Sequence, residues 1–209
     1  MKTVLCFGDS NTWGHHAPLG DRFDEQTRWS GRLRILLGED YRVIEEGQRG
    51  RTTVWDDPIE NRLAGLTYLW PCLESHDPID LVVIMLGTND CKPYFGARAQ
   101  SIADGTGRLV DMVQKSSFGP GGSAPKVLLI SPIRIEPSTF YDYLFGEVEA
   151  AKSHGFPVAY KAVADRFGCA FLDAAKLAEP DPADGVHLDA EGHKALAEAV
   201  AAKVKEILE

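Results

Sequence analysis

The middle of the chain reads Leu81-Val82-Val83-Ile84-Met85-Leu86, a run in which every residue is apolar. A strand with one face in water alternates apolar and polar residues, whereas a strand covered on both faces reads as a continuous apolar run. This run therefore predicts an interior strand of a parallel sheet that has helices packed on both of its faces.

Short apolar stretches elsewhere predict the other strands of this sheet. Four such stretches occupy residues 3–7, 41–45, 127–131 and 169–172. Between them, apolar residues recur at helical spacing. The apolar positions of three predicted helices are Trp29, Leu33, Leu36 and Leu37; Leu63, Leu66, Leu69, Trp70 and Leu73; and Ile102, Leu109, Met112 and Val113. The apolar stripe of the last predicted helix, which has Asp189 as its N-cap, is Leu196, Val200, Val204, Ile207 and Leu208.

The alternation of strands and helices predicts an α/β fold, namely a three-layer α/β/α, flavodoxin-like sandwich with a five-stranded parallel sheet. The chain has 209 residues and shows no internal repeat and no linker composition between two halves. A chain of this length can bury a substantial core as one unit. We therefore expect a single domain that spans residues 1–209.

Composition and charge restrict the kinds of partner that the protein binds. The formal net charge is -9 and no block of basic residues is present, which argues against nucleic acid or an anionic membrane as a partner. The four cysteines lie far apart without metal-like spacing, so reduced, buried thiols are expected and no structural zinc. The apolar run at the start is too short for a secretory signal. These features predict a cytoplasmic protein.

Four polar motifs follow predicted strands and are expected to meet in space. They are Gly8-Asp9-Ser10, Gly47-Gln48-Arg49-Gly50, Gly87-Thr88-Asn89-Asp90 and Asp184-Gly185-Val186-His187. In an open parallel sheet, the loops at the carboxyl ends of the strands share one edge, where ligands bind. Motifs that are more than a hundred residues apart in sequence are therefore predicted to form one site.

The residue types in these loops match the parts that acyl transfer requires. Ser10 alone could be a turn or N-cap serine, and Asp184 or His187 alone would be unremarkable as a solvated residue or a helix-entry residue. Together they form a candidate triad, in which Asp184 orients His187 and His187 takes the proton of Ser10. The other five histidines, His15, His16, His76, His154 and His193, have no obvious partner in the sequence and are expected at the surface or at helix ends.

Stabilisation of an oxyanion needs donors close to the nucleophile. The side-chain amide of Asn89 is a donor of the right type, and the backbone N–H groups of Ser10 and Gly50 could point at the same oxygen. Asp9 and Asp90 are expected to brace their loops rather than to react.

With these motifs the chain resembles the SGNH hydrolases, also called GDSL-type esterases. The four residues of that name would be Ser10, Gly50, Asn89 and His187, and Asp184 fits the Asp-x-x-His block of the family. Two longer segments are similar to the arylesterase and acyltransferase branch of that superfamily. They are Ile44-Glu45-Glu46-Gly47, followed by Arg51-Thr52-Thr53, and Ile84-Met85-Leu86-Gly87-Thr88-Asn89-Asp90.

The resemblance implies hydrolysis of small-molecule esters with short acyl groups, without a metal or another cofactor. It also implies some transfer of acyl groups to alcohols or peroxide, and assembly into homo-oligomers. Residues next to the catalytic set are expected to bind the substrate. These are Asn11, Trp13, Thr88, Lys92 and Val186, with aromatic residues of segments 93–95 and 139–145 as further candidates for the pocket wall or for subunit contacts.

Other functions remain open at this stage. A carbohydrate deacetylase or a thioesterase would use the same catalytic residues, because the leaving group is recognised by other loops. A metal-dependent phosphoesterase would need several histidine and carboxylate ligands that converge, and only His187 is well placed among the histidines. A binding module without catalysis would have no need for the complete set of catalytic parts.

Overall fold

The computed structural model describes residues 1–17, 19–62 and 64–209. Within these residues, five strands form one parallel sheet in the order β2-β1-β3-β4-β5. The strands are β1 (Lys2–Gly8), β2 (Tyr41–Gly47), β3 (Leu81–Met85), β4 (Lys126–Ser131) and β5 (Ala170–Asp173). The described α-helices are α1 (Ser10–Trp13), α2 (Trp29–Leu37), α3 (Gly65–His76), α4 (Ala99–Gln114), α5 (Glu147–Ser153), α6 (Phe156–Phe167) and α7 (Ala190–Leu208).

The apolar run that predicted the interior strand is β3, and all of its residues are buried. It lies between β1 and β4, with Val82 paired to Leu5 on one side and to Val127 on the other. All four strand pairings are parallel, as the sequence predicted. The strand boundaries differ from the predicted ones by no more than a few residues at each end.

Helices cover both faces of the sheet, because successive residues of a strand point to opposite sides. In β1, Leu5 and Phe7 belong to a core that they share with α3, α4 and α6. Val4 and Cys6 belong to a second core, shared with α2 and α7. The predicted three-layer α/β/α sandwich is therefore confirmed.

The helical patterns were correct in position and less accurate in detail. Leu36 and Trp70 were assigned to buried stripes, but their side chains are 37% and 45% exposed. Leu63, predicted in the stripe of the second helix, lies outside the described residues. Asp189 accepts a hydrogen bond from the Gly192 N–H at 2.7 Å and caps α7 as expected.

The described residues also show the state of the cysteines and the character of the helices. Each of the four cysteines is a free thiol, and Cys6, Cys72 and Cys91 are buried. Burial raises the pKa of the Cys72 thiol to about 12, so this side chain is uncharged at neutral pH. No helix in the described part of the chain combines the length and the apolar character that crossing a membrane would need.

Candidate active site

The nucleophile candidate, Ser10, begins the short helix α1 directly after β1. The turn between them is tight, because a Cβ atom at Gly8 would lie 2.0 Å from Oγ1 of Thr12. Asp9 caps the helix by accepting a hydrogen bond from the Asn11 N–H at 3.0 Å. Burial raises the pKa of Asp9 to about 6. The turn therefore places the Ser10 hydroxyl at a helix N-terminus, where backbone N–H groups favour negative charge.

Ser10, His187 and Asp184 form a chain of hydrogen bonds. Nε2 of His187 lies 2.9 Å from Oγ of Ser10, and Nδ1 lies 2.6 Å from Oδ2 of Asp184. When Nδ1 carries the proton, its N–H donates a hydrogen bond to the carboxylate. Nε2 then has a free lone pair that can accept the hydroxyl proton. All three side chains are buried. The geometry is that of a nucleophile, a base and a group that orients the base.

The loop that carries Asp184 folds back on itself to reach the histidine. Gly185 has φ of 73°, and a Cβ atom there would lie 2.0 Å from the carbonyl oxygen of Glu136. Oδ1 of Asp184 accepts hydrogen bonds from the N–H groups of Val186 and His187. Burial acts to raise the pKa of Asp184, but the hydrogen bonds from His187 and from the backbone outweigh it and hold this pKa below its ordinary value. The carboxylate is therefore ionised at neutral pH.

Asn11 connects the loop of the nucleophile to the loop of the base. Its Nδ2 donates to the carbonyl of Val186 at 3.2 Å, and its Oδ1 accepts from the N–H of Leu188 at 2.9 Å. Both bonds are buried and flank His187 on its two sides. Asn11, the residue after Ser10, thus holds the histidine loop in place.

Three groups that could stabilise an oxyanion lie along the same cleft. Ser10, Gly50 and Asn89 all line it. Nδ2 of Asn89 donates one hydrogen bond to the carbonyl of Arg51 at 3.1 Å. A side-chain amide has two N–H donors, so the second remains available to a ligand. Among the described residues no acceptor is found for the N–H of Gly50.

Arg51 fixes the loop that presents Gly50. Its buried guanidinium donates to the carbonyls of Gly8 and Glu46 and lies 4.3 Å from the ring centre of Phe7. Gly47, the other glycine of this motif, packs against α1, since a Cβ atom there would lie 2.2 Å from the backbone nitrogen of Trp13. Gly50 and not Gly47 therefore faces the cleft.

The cleft has a volume of about 280 Å³. Its lining combines the residues already described with aromatic, aliphatic and charged side chains. The lining residues are Ser10, His15, Arg49, Gly50, Glu60, Arg62, Asn89, Lys92, Tyr141, Leu144, Phe145, Val186 and His187. Segment 139–145 thus contributes three side chains to the lining, Tyr141, Leu144 and Phe145. Tyr94 and Phe95 do not line the cleft.

The five residues predicted to contact the substrate fall into two groups. Lys92 and Val186 line the cleft, whereas Asn11, Trp13 and Thr88 do not. Asn11 and Thr88 are buried, and the ring of Trp13 lies 4.6 Å beneath the guanidinium of Arg49. The turn of α1 directs the side chain of Asn11 towards the histidine loop, which the sequence pattern does not reveal.

Lys92 is a buried cation that two carboxylates neutralise. Its Nζ lies 3.1 Å from Oδ2 of Asp57 and 2.6 Å from Oε1 of Glu60, and Tyr94 donates its hydroxyl to Asp57 at 2.7 Å. Arg49 and Arg62 line the cleft nearby and make no ion pair with any described residue. One part of the cleft lining is therefore polar and charged, whereas Tyr141, Leu144 and Phe145 contribute apolar surface.

Two histidines expected at the surface or at helix ends are buried. His15 lines the cleft, and its ring centre lies 4.0 Å from that of His187. Burial and the neighbouring His187 lower the pKa of His15 to about 4. The N–H of His15 donates to the carbonyl of Ser10 at 3.0 Å. The sequence spacing of five residues from Ser10 is the signal that could have predicted His15 beside the candidate triad.

The second buried histidine, His193, has a structural role. Its Nδ1 accepts a hydrogen bond from the N–H of Trp29 at 3.2 Å and so caps the start of α2. Burial lowers the pKa of His193 to about 3. The expectation of a capping residue holds for His193, but the cap belongs to a helix that is distant in sequence.

Comparison with known proteins gives a consistent result. The sequence model of the GDSL-like lipase/acylhydrolase family matches residues 6–195. An acetylxylan esterase of Xylanibacter ruminicola is 27% identical over 226 residues, which cover 97% of this chain and 43% of that protein. The chain thus spans less than half the length of this relative.

Solved structures of similar length are closer in sequence. An aryl esterase from M. smegmatis is 41% identical, with a TM-score of 0.92 and coverage of 100% of both chains. A carbohydrate acetylesterase from Sinorhizobium meliloti is 40% identical, with a TM-score of 0.93 and coverage of 100% of both chains. From the matched residues and these likenesses, the chain belongs to the GDSL-like lipase/acylhydrolase family of the SGNH hydrolase superfamily.

Proposed function

We propose that the protein is a serine esterase that hydrolyses short-chain aryl and alkyl carboxylic esters. The observation that carries the proposal is the buried hydrogen-bond chain from Ser10 through His187 to Asp184, which opens onto a cleft. The esterase names of the structural neighbours support the same reaction class. In this proposal Ser10 is the nucleophile, His187 the general base and then acid, and Asp184 the residue that orients the imidazole.

The reaction proceeds in two halves. Oγ of Ser10 attacks the ester carbonyl while its proton moves to Nε2 of His187, and the tetrahedral intermediate collapses to an acyl-enzyme. The leaving alcohol takes the proton from His187. Water then attacks the acyl-enzyme with His187 again as base, which releases the carboxylic acid and regenerates the hydroxyl of Ser10.

Negative charge on the carbonyl oxygen is stabilised by the N–H groups of Ser10 and Gly50 and by the amide of Asn89. The support for this assignment is that all three residues line one cleft beside the nucleophile. Loss of one such side-chain donor costs about 3–4 kcal/mol of transition-state stabilisation in other serine hydrolases. The oxyanion site contributes substantially to catalysis on this scale.

The acyl group is proposed to be small. Tyr141, Leu144 and Phe145 form a bulky wall, and the ring of Tyr141 lies edge-on to His187 with ring centres 6.1 Å apart. A cleft of about 280 Å³ must hold both the acyl group and the leaving group. We therefore expect acetyl to butyryl esters to be better substrates than octanoyl esters.

The first experiment compares hydrolysis of 4-nitrophenyl acetate, butyrate and octanoate by the wild type and by Ser10→Ala. Ser101→Ala, at an exposed position of α4, is the matched control. We expect rates to fall with chain length, to vanish in Ser10→Ala and to be unchanged in Ser101→Ala. Hydrolysis that survives in Ser10→Ala would exclude Ser10 as the nucleophile, and equal turnover of octanoate would exclude the narrow acyl site.

A second candidate function is deacetylation of a carbohydrate. It is favoured by the charged side of the cleft, where Arg49, Glu60 and Arg62 could hydrogen-bond to sugar hydroxyl groups, and by the carbohydrate acetylesterase among the structural neighbours. Release of acetate from acetylated xylo-oligosaccharides, measured beside 4-nitrophenyl acetate, separates the two candidates. A thioesterase would share the catalytic residues and would prefer acetyl thioesters in the same assay.

The acyl-enzyme could also react with an alcohol or with peroxide instead of water. The support for this proposal is the resemblance to the arylesterase and acyltransferase branch. Its test is the ratio of ester to acid formed from vinyl acetate in aqueous benzyl alcohol. Formation of acid alone would exclude acyl transfer.

We also propose that the protein forms a homo-oligomer. Its support is the exposed aromatic residues beside the cleft, where Phe140 is 49% and Tyr143 is 72% exposed. Light scattering of the wild type measures the mass directly. A monomer would contradict this proposal, whereas a multimer that is weakened in Phe140→Ser would locate the interface.

A further inference from the structure

His15 has no assigned role in the proposed reaction, although it lies against the catalytic histidine. It is 7% exposed, and its Nδ1 is buried without a hydrogen-bond partner among the described residues. A buried polar atom without a partner is costly, and each such atom in a folded protein calls for an explanation. One explanation is a ligand that the side chain binds.

The side chains around His15 match the ligand set of a transition-metal ion. One ligating atom from each of His15, Asp184 and His187 lies within 4.8 Å of the other two. Three protein ligands with an open fourth position form the usual tetrahedral arrangement around an accessible Zn²⁺ ion, with bonds of about 2.0–2.2 Å. The site therefore requires the three side chains to rotate, and the hydrogen bond between His187 and Asp184 to open, before the ion is bound.

A metal ion could reach these residues from solvent. His15 and His187 both line the open cleft, and Asp184 lies directly behind His187. Two imidazoles with one carboxylate suit Zn²⁺ and similar borderline ions, whereas Mg²⁺ and Ca²⁺ prefer oxygen ligands. Arg49 lines the same cleft and repels a cation, so we expect weaker binding than at a structural zinc site.

We propose that His15, Asp184 and His187 form a binding site for Zn²⁺, and that the bound ion inhibits the esterase. The metal takes the lone pair of one ring nitrogen of His187, and the single proton of the neutral imidazole then lies on the other nitrogen. His187 has no lone pair left in this state, so it cannot take the proton of Ser10. The inhibition half of this inference rests on the proposed function, whereas the binding half does not.

Binding is tested first in the Ser10→Ala variant, which keeps all three ligands and needs no catalysis. Isothermal titration calorimetry with Zn²⁺ is expected to show one site per chain, and Co²⁺ is expected to give the visible absorption of a tetrahedral complex. Adding His15→Phe, or His15→Gln as a second replacement, is expected to lower the affinity at least about tenfold. Circular dichroism verifies that each variant is folded.

A second cluster in the chain provides the matched control. Glu46, Cys72 and His76 also bring their ligating atoms within 4.8 Å of one another, and His76 already bonds to Glu46. His76→Ala is expected to leave Zn²⁺ binding unchanged. Binding that survives both replacements of His15, or that is lost in His76→Ala, would overturn the proposal, as would the absence of any binding.

Inhibition is then measured on 4-nitrophenyl acetate with the wild type, in Zn²⁺ and after removal of Zn²⁺ by a chelator. The inhibition constant of each His15 variant is compared with the wild type, relative to that variant's own metal-free rate. We expect Zn²⁺ to inhibit the wild type and to need at least about tenfold higher concentration in the variants. If neither the wild type nor any variant hydrolyses esters, the proposed function is wrong. The calorimetry still decides whether the metal site exists.

Discussion

Asp90 and Asp184 are buried carboxyl groups in two loops at the same edge of the sheet, but their surroundings shift their pKa values in opposite directions. Asp184 faces the imidazole of His187 and two backbone N–H groups, and its pKa is lowered. Asp90 accepts hydrogen bonds from the N–H and hydroxyl of Thr53, and burial raises its pKa to about 7. Burial alone therefore does not make a carboxylate useful for catalysis.

The difference lies in what each carboxyl group faces. A group that can carry positive charge lies beside Asp184, and the ionised form is stabilised there. Asp90 has neutral donors and the negative Asp9 as a neighbour, so its ionised form is disfavoured. We interpret Asp184 as the group that orients the base and Asp90 as a tie between the loop after β3 and Thr53.

The largest expected effect comes from neutralising the carboxylate that faces the histidine. Asp184→Asn is expected to lower kcat by about 10⁴-fold, because an amide at this place stabilises the wrong tautomer of His187. Steady-state hydrolysis of 4-nitrophenyl acetate measures it, with the exposed Asp142→Asn as control. A loss of less than tenfold would remove Asp184 from the catalytic set.

Next in size is the amide that precedes Asp90. Asn89→Ala is expected to lower kcat by about 10²–10³-fold with little change in KM, because the lost donor acts mainly in the transition state. Asn89 also bonds to the carbonyl of Arg51, so thermal unfolding is measured in parallel. Unfolding of the variant would also lower kcat, so the assay is run well below the thermal unfolding transition. A folded variant with unchanged kcat would exclude Asn89 from the oxyanion site.

A smaller effect is expected where Asn11 holds the Asp184 loop. Asn11→Leu leaves the N–H of Leu188 and the carbonyl of Val186 without their partner, at a cost of about 1–3 kcal/mol for each unpaired group. Urea unfolding measures the change. Gln114→Leu, which removes an exposed amide that donates to the carbonyl of Phe167, is the control and is expected to lose less. Equal losses in both variants would contradict a special role for Asn11.

The most gradual effect is the pH dependence of stability, which is spread over several pH units and has opposite signs for the two aspartates. The folded pKa of Asp90, about 7, lies above the ordinary aspartate pKa of 3.8, so stability falls as pH rises from about 4 to about 7. The folded pKa of Asp184 is lowered, so its contribution is present above the ordinary pKa and is lost as pH falls below it. Each slope is at most about 1.4 kcal/mol per pH unit.

Urea unfolding at several pH values between 4 and 7 tests the Asp90 part of this contrast. Asp90→Asn is expected to flatten the decline that the wild type shows towards neutral pH. Asp9, whose pKa is raised to about 6, adds a decline of the same sign that remains in the variant. An unchanged slope in Asp90→Asn would show that Asp90 is ionised throughout this range.

The sheet could be predicted well from the sequence because each strand is specified by residues that are adjacent in the chain. The continuous apolar run of β3 and the shorter runs around it specify buried strands, and parallel strands place their following loops at one edge. The convergence of Ser10, Asn89 and His187 follows from that topology. The hydrogen bond between Ser10 and His187 joins residues 177 positions apart. The strand pattern alone was enough to predict that these two residues lie close together.

What could not be predicted depends on the direction in which side chains point within irregular loops. Asn11 and Thr88 are adjacent in sequence to Ser10 and Asn89 but do not line the cleft, whereas His15 returns to it after one turn. Glu60 and Arg62 reach the cleft from the segment after Asp57, which carries no periodic pattern. Contacts of this kind depend on packing between distant segments, and a single sequence does not encode them in a readable form.

The hydrogen bonds from Asn11 to residues 186 and 188 also have a consequence for folding. They join α1, which directly follows β1, to the loop before α7, with a sequence separation of up to 177 residues. Contacts of such separation carry a large loop-closure entropy and contribute to slow folding. Because Ser10 meets His187 only when these segments have docked, recovery of the proposed esterase activity during refolding would report the closure of the whole chain rather than the formation of its secondary structure.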